Sequence, residues 1–496
     1  MELWSVRSPG RIVALTRRPV GIGCAVALLF AAGCATNPVT GQREFSLMSE
    51  DKEIQIGQEQ DAQVRKEMGL YGDQALQQYV NDVGLRLASV SERPGLPWHF
   101  AIVDVPAINA FALPGGYIYI TRGILPFLQD EAQLAGVLGH EIGHVNARHS
   151  ARQYSRSTAS SIGLIVGSIL VPQSRPFAEL GETGLGLLML KNGRDDELEA
   201  DSLGAKYAAR AGWDPDGIPQ MLTTLARIEE ASDTKGIPNW MQTHPVAEDR
   251  AQRVQAAVRD AEQGATKFTT DHDGYLKRMD GLTYGDNPAQ GIVRGATFLH
   301  GGLRFAVDFP EGWEVANGTS QVVARLPGGK PLMVLEPVQR PVGRTIDAVA
   351  VYGMQRAGFT EISGGRTSIH GLDAFVGSYA GPMQNLGRVR IRAAHIVYDR
   401  AIYLLAGIAP LDTYDASEPA FSNAIDSFRP LTRADAERLQ PNRIDLYTAR
   451  PGDTWQAIAA RAGNGVVKPS TLAIMNGHPV DDQPRAGERL KIVVNG

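Results

Sequence analysis

His140-Glu141-Ile142-Gly143-His144 places two imidazoles four residues apart, with a carboxylate beside the first. On a helix, residues four apart share a face, so both rings can reach a single metal ion. Histidine pairs of this kind suit zinc. Glu141 then lies where it can take a proton from a water at the metal. The competing reading is an exposed helix with two ordinary histidines. The flanking residues argue against it. Asp130 can cap a helix with Gln133 three residues on, and Leu134, Val137, Leu138, Ile142 and Val145 recur at helical spacing. Such a helix packs against a core, where a glutamate and two histidines need a reason.

Catalytic zinc usually keeps three protein ligands and one open position. The stretch Asp195-Asp196-Glu197-Leu198-Glu199-Ala200-Asp201 is the best source of the third. It opens a helical run from Glu197 to about Ala211, with Gly212 in the position that a helix-ending glycine prefers. Glu197 and Asp201 are four apart, and Ala200, Gly204 and Ala208 lie on or near their face, which lets two helices approach closely. Glu197 is then the third ligand, and Asp201 a carboxylate that orients a ligating imidazole. An acidic helix start favoured by the macrodipole accounts for Asp195 and Asp196, but not for a carboxylate pair set over small residues.

With H-E-I-G-H followed about fifty residues later by E-L-E-A-D, the chain resembles the M48 family of zinc metallopeptidases, relatives of the CAAX prenyl proteases. The segment Asn109-Ala110-Phe111-Ala112-Leu113-Pro114-Gly115-Gly116-Tyr117-Ile118-Tyr119-Ile120 is similar to that family's strand before the active-site helix. Thr243-His244-Pro245 with Arg250 is similar to its T-H-P-x-x-x-x-R element, and Asn37-Pro38-Val39-Thr40-Gly41 to its bacterial lipoprotein branch. The resemblance spans roughly residues 37 to 260. It implies a helix-rich α+β zincin-type (gluzincin) domain, one Zn2+ per chain held by His140, His144 and Glu197, Glu141 as general base, and Asp201 behind the ligands.

Peptide hydrolysis also needs a donor for the developing oxyanion. His244 and Arg250 are the candidates; alternatively, His244 could occupy the open metal position and hold the enzyme latent, or be a turn residue beside Pro245. Asn109, Phe111, Pro114, Gly115 and Gly116 mark a candidate substrate strand. If the Phe111 to Ile120 segment is a sheet edge, an extended peptide can pair with its free backbone groups. A core strand feeding the helix is the plainer reading.

Arg7, Arg11, Arg17 and Arg18 precede an apolar run, Ile22 to Ala32, too short for a comfortable membrane span. Leu29-Phe30-Ala31-Ala32-Gly33-Cys34 resembles a bacterial lipobox, which implies a signal peptide over residues 1–33, lipidation at Cys34 and a membrane anchor. Ala35 carries no acidic retention signal, which implies the periplasmic face of the outer membrane. The two cysteines are Cys24, inside the signal, and Cys34, so the rest of the chain has no thiolate pair for a disulfide or for zinc. The formal charge is −5, and no basic patch with interleaved aromatics stands out. Nucleic acid is therefore not an expected partner.

A length of 496 residues predicts several domains. The peptidase part is expected over residues 34–268, followed by a linker over 269–298 with Gly274, Gly281, Gly285, Pro288 and Gly291 as turn residues. Ile162 to Val171, a ten-residue apolar run ending at Pro172, reads as core or as a flap over the cleft, with membrane-surface contact as the lesser alternative. An α+β accessory domain is expected over 299–435. Its strands are Leu303 to Phe309, Val322 to Leu326, Leu332 to Leu335, Val389 to Val397 and Ile402 to Ile408, and its helices Ile346 to Ala357 and Pro419 to Phe428. Its F-P-E-G-W turn resembles the PsbP/Mog1-like fold.

Residues 444–496 resemble a LysM module of β-α-α-β order, through Tyr447-Thr448-Ala449-Arg450-Pro451-Gly452-Asp453-Thr454-Trp455, Leu472-Ala473-Ile474-Met475-Asn476-Gly477 and Arg485-Ala486-Gly487-Glu488-Arg489-Leu490-Lys491-Ile492. The resemblance implies peptidoglycan as a ligand; a small packing domain without sugar binding is the alternative. Together these features predict a zinc endopeptidase of the cell envelope that clears misfolded or misassembled envelope proteins, with polypeptides in the periplasm as substrates. The contrasting reading is a chaperone-like or peptidoglycan-binding envelope protein with a latent metal site.

Overall fold

The computed structural model describes residues 34–46, 48–153, 192–231, 244, 250–263, 267–318, 321–338, 345–383, 386–463 and 466–496. The signal segment, the apolar run Ile162 to Val171, and Thr243 and Pro245 lie outside these residues. Among the described residues, no helix is long and apolar enough to cross a membrane.

The peptidase part is built around one buried helix, Glu131–Asn146, whose residues from Ala132 onward are all buried. Asp130 caps it by accepting from the Gln133 backbone N–H at 2.8 Å. The Gln133 side chain reaches back one residue further than a capping box requires, accepting from the Gln129 N–H at 3.1 Å. A second helix, Arg194–Arg210, crosses the first and ends at Ala211, with Gly212 at φ +88° as its positive-φ stop. The two backbones nearly touch. A Cβ added to Gly139 would sit 3.2 Å from the Gly204 Cα, and one added to Gly143 would sit 2.9 Å from the Ala200 carbonyl oxygen. The small residues on the second helix therefore face two glycines on the first, and that closeness brings side chains from both helices into one layer.

A three-stranded sheet flanks the histidine helix. Tyr117–Thr121 is central, parallel to His99–Val103 and antiparallel to Ala110–Leu113, which forms an edge. The segment expected as one strand from Phe111 to Ile120 is thus a hairpin. Pro114 to Gly116 make its turn, with φ of +79° at Gly115 and +96° at Gly116, where glycine carries no Cβ penalty.

Residues 269–298 differ from the expected linker. His272–Met279 is a helix that buries Tyr275, Leu276 and Met279, and Tyr275 donates to the Leu125 carbonyl at 2.7 Å. Arg122, itself buried, donates to Asp104 and to the carbonyls of Thr283 and Gly285. Gly281 and Gly285 lie in a turn and a bend, but Gly274 falls inside the helix, and Tyr275 and Met279, four apart on it, join the core.

The accessory region contains a seven-stranded antiparallel sheet in the order Glu314–Asn317, Val322–Arg325, Leu332–Val338, Ala401–Pro410, Gly387–Tyr398, Leu372–Met383, Thr360–Ile369. Phe305–Asp308 belongs to a separate four-stranded sheet. Helices Ile346–Arg356 and Tyr414–Asp426 accompany the sheets; the latter begins five residues before the expected start and holds Pro419 inside it. The last segment runs strand Asn442–Thr448, helix Trp455–Gly463, helix Pro469–Met475, strand Arg489–Val494, with the two strands antiparallel. Its Trp455, Leu472, Ile474 and Leu490 share one hydrophobic cluster with the peptidase part. Lys491 is fully buried there and donates to the Leu128 carbonyl at 2.5 Å and the Gln129 Oε1 at 3.2 Å, just before the cap of the histidine helix.

Candidate metal centre

His140 and His144 project from one face of their helix with the Nε2 atoms 2.9 Å apart. Glu197 faces them from the second helix, 3.5 Å from His140 Nε2 and 3.4 Å from His144 Nε2. His244 enters from the other side, its Nδ1 3.3 Å from His140 Nε2 and 3.0 Å from Glu197 Oε1. Each of the four offers one ligand atom, and those atoms all lie within 4.8 Å of one another. All four side chains are buried. A buried cluster of three imidazoles and a carboxylate fits a zinc ion, which these donors hold in preference to a hard oxygen-seeking cation.

The groups behind the donors fix their orientation. Asp201 Oδ1 lies 2.8 Å from His140 Nδ1, which leaves Nε2 for the cluster. Arg250 donates to both Asp201 oxygens, at 2.6 and 2.8 Å, and lies 2.9 Å from Glu197 Oε2. Placement on those two carboxylates differs from the expected role as oxyanion donor, because the guanidinium is engaged behind the cluster in neutralising buried acids. Burial opposes a charge on His140, yet its contacts with Asp201 and Glu197 carry it up to about 9. Burial and the His140 charge push His144 well below its usual range. Burial would raise Glu197, but His244 and His144 hold it well below the carboxylate range.

Glu141 is almost fully enclosed, and burial raises its carboxyl. Its Oε1 has no hydrogen-bond partner among the described residues and lies 3.5 Å from His244 Nε2. A buried carboxylate oxygen left open beside a donor cluster is where an incoming water or substrate proton would be received. On the expected substrate strand, Phe111 stacks on Tyr119 within the sheet, while Asn109 precedes the edge strand and Pro114, Gly115 and Gly116 form its turn. Leu113, Pro114 and His144 line one small cavity, so the end of the edge strand adjoins the cluster. The backbone of Cys34 lies in a short strand, Cys34–Thr36, paired with Arg43–Phe45, far along the chain from this layer.

Sequence reasoning missed His149. Its Nδ1 lies 2.7 Å from His144 Nδ1, and its Nε2 3.1 Å from Glu199 Oε2. The available signal was a third histidine shortly after the motif, but five residues is not a helical face spacing.

A histidine pair on a buried helix, facing a carboxylate on a second helix and flanked by an open glutamate, is an arrangement able to hold a zinc ion beside a proton acceptor. Over residues 74–258 the chain matches the model of Peptidase family M48. The beta-barrel assembly-enhancing protease of Escherichia coli (strain K12) is 33% identical over 234 residues, covering 45% of this chain and 47% of that protein. The mitochondrial metalloendopeptidase OMA1 of Schizosaccharomyces pombe (strain 972 / ATCC 24843) is 31% identical over 232 residues, covering 45% of this chain and 66% of that protein. The chain thus spans about half the length of the first of these relatives. Among solved structures, cyanobacterial PsbP (CyanoP) from Synechocystis sp. PCC 6803 aligns with 29% of this chain at 14% identity and a TM-score of 0.24, a level that carries no argument.

Proposed function

We propose that the chain is a zinc-dependent endopeptidase of the bacterial cell envelope, acting on misfolded or misassembled envelope proteins. The observation that carries this reading is the open, buried Glu141 oxygen beside the converged His140, His144 and Glu197. Bound zinc supplies a Lewis acid for the scissile carbonyl and lowers the pKa of a water. Glu141, with one buried carboxylate oxygen left unpartnered, would accept the proton of an attacking water and pass it to the leaving amine. Asp201 and Arg250 hold His140 and Glu197 in register, and the Ala110–Leu113 edge offers free backbone groups to an extended peptide.

The envelope location rests on the lipobox-like residues ending at Cys34 and on the similarity to the beta-barrel assembly-enhancing protease. The same proposal includes lipidation at Cys34 on the periplasmic face of the outer membrane, a PsbP/Mog1-like accessory domain, and a LysM-like tail able to bind peptidoglycan. The β-α-α-β order of residues 442–494 supports the last of these.

A second reading has one specific observation in its favour: His244 lies within ligand distance of the other three donors. If it fills the open position, the centre is latent, and the protein serves as a chaperone-like or peptidoglycan-binding envelope protein until His244 moves. Glu141→Gln separates the two. A protease loses cleavage of unfolded casein by a factor on the order of 10²–10⁴ while keeping its zinc. A binder with a latent centre cleaves no casein in either form and keeps its function in cells.

A further inference from the structure

We propose that His149 is a positioning residue for the metal centre: it fixes the ring of His144 through a two-imidazole relay that ends on Glu199. The inference rests on the zinc reading above. His144 turns its Nε2 into the cluster, 2.9 Å from His140 Nε2 and 3.4 Å from Glu197 Oε1. Its ring proton must then sit on Nδ1, and Nδ1 lies 2.7 Å from His149 Nδ1. Two ring nitrogens at that separation share one proton, so His144 Nδ1–H donates and His149 Nδ1 accepts. That leaves the His149 proton on Nε2, which is 3.1 Å from Glu199 Oε2 and 3.6 Å from Asp196 Oδ1. Every donor and acceptor along the line is assigned, in one direction.

The backbone is arranged for this contact. On a continuing helix, a residue five positions on would point roughly 140° away from His144. The helix instead stops at Ala147, and Arg148 takes φ +57°, a left-handed conformation unfavourable for a residue with a Cβ. Arg148 is held there by contacts to Glu53 and the Met48 carbonyl. The turn brings His149, itself buried, back beneath His144.

The far end is braced as well. Arg152 donates to Asp196 Oδ1 at 2.8 Å and to Glu199 Oε2 at 3.5 Å, and it also reaches Glu44. The His140 arm is built in the same way, with Asp201 behind the imidazole and Arg250 behind the carboxylate. Each proposed imidazole ligand therefore ends on an arginine-braced carboxylate of the helix Arg194–Arg210, the helix that also supplies Glu197. The His149, Asp196 and Glu199 atoms are close enough to suggest a second metal site. However, both His149 nitrogens are engaged, and both carboxylates already pair with Arg152, so the cluster serves as an anchor.

The test compares His149→Leu, which has no acceptor, with His149→Asn, whose amide oxygen can reach the place of Nδ1. Zinc affinity is measured by chelator competition, and the melting of the metal-free protein is followed alongside. The relay predicts that His149→Leu weakens zinc binding about 10–100-fold, that His149→Asn recovers most of the loss, and that the metal-free forms melt together. Equal affinity in His149→Leu and the unmodified chain overturns the relay, and so does an equal loss in both variants. The zinc reading fails separately, if the unmodified chain binds no zinc.

Discussion

The layer between helices Glu131–Asn146 and Arg194–Arg210 and the seven-stranded sheet of residues 314–410 each enclose an apolar core, but they treat charge in opposite ways. The helical layer buries His140, Glu141, His144, His149, Glu197, Asp201 and Arg250 together. Among the described residues of 299–435, the buried polar or charged side chains are Ser378 and His395. Taking an ion out of water costs several kcal/mol unless it is paired. A fold meets that cost only where the ions hold one another, as the first layer does through Asp201, Arg250 and the imidazoles. The sheet region avoids it: burial pushes His395 down to about 4, and the ring stays neutral at ordinary pH. Of these two regions, the one that buries charged side chains is the layer whose donor atoms converge.

The comparison breaks most visibly if the layer's ions are separable. Asp201→Ala removes the partner of both His140 and the buried Arg250, and the expected loss of stability is about 3–5 kcal/mol. Urea denaturation of the metal-free chain checks this, and a loss below about 1 kcal/mol would mean that the ions are not mutually dependent. A smaller effect, about 1–3 kcal/mol, is expected from Gly204→Val. A Cβ there already meets the His140 backbone nitrogen at 2.9 Å and the Gly139 carbonyl carbon at 3.1 Å. The helices must part, Glu197 must retreat from the histidines, and zinc affinity falls with stability.

At neutral pH the smallest effect belongs to the sheet region, where the titrating ring is already uncharged. The folded pKa of His395 lies near 4, below its ordinary value of 6.5, so the unfolded chain takes up this proton first. The neutral ring's contribution is fully present above pH 6.5 and is lost as pH falls towards 4. His395→Leu removes that part of the slope in a stability-versus-pH series, while casein cleavage stays unchanged.

The sequence made the helical layer legible because its chemistry follows helical periodicity. Asp130, the motif and the Glu197–Asp201 spacing fall on or cap regular helices, and the small residues Ala200 and Gly204 signal the close packing that Gly139 and Gly143 complete from the opposite helix. His149 was not legible, because its position depends on a left-handed Arg148 that no spacing rule anticipates. Strands Thr360–Ile369 and Leu372–Met383 were missed for a different reason. The first is an edge strand exposed on both faces, with Gly364 and Gly365 at its centre, so apolar alternation is absent. Tyr275, Leu276 and Met279 were hidden among turn-forming glycines, although their spacing fits the short helix that they form.

Zinc content per chain, measured by mass spectrometry on residues 35–496 purified without chelators, tests the central claim most directly when Glu197→Ala is measured beside it. The account predicts one zinc per chain in the unmodified protein and little or none in the variant. An unmodified protein with no zinc, or a variant that keeps a full equivalent, would contradict it.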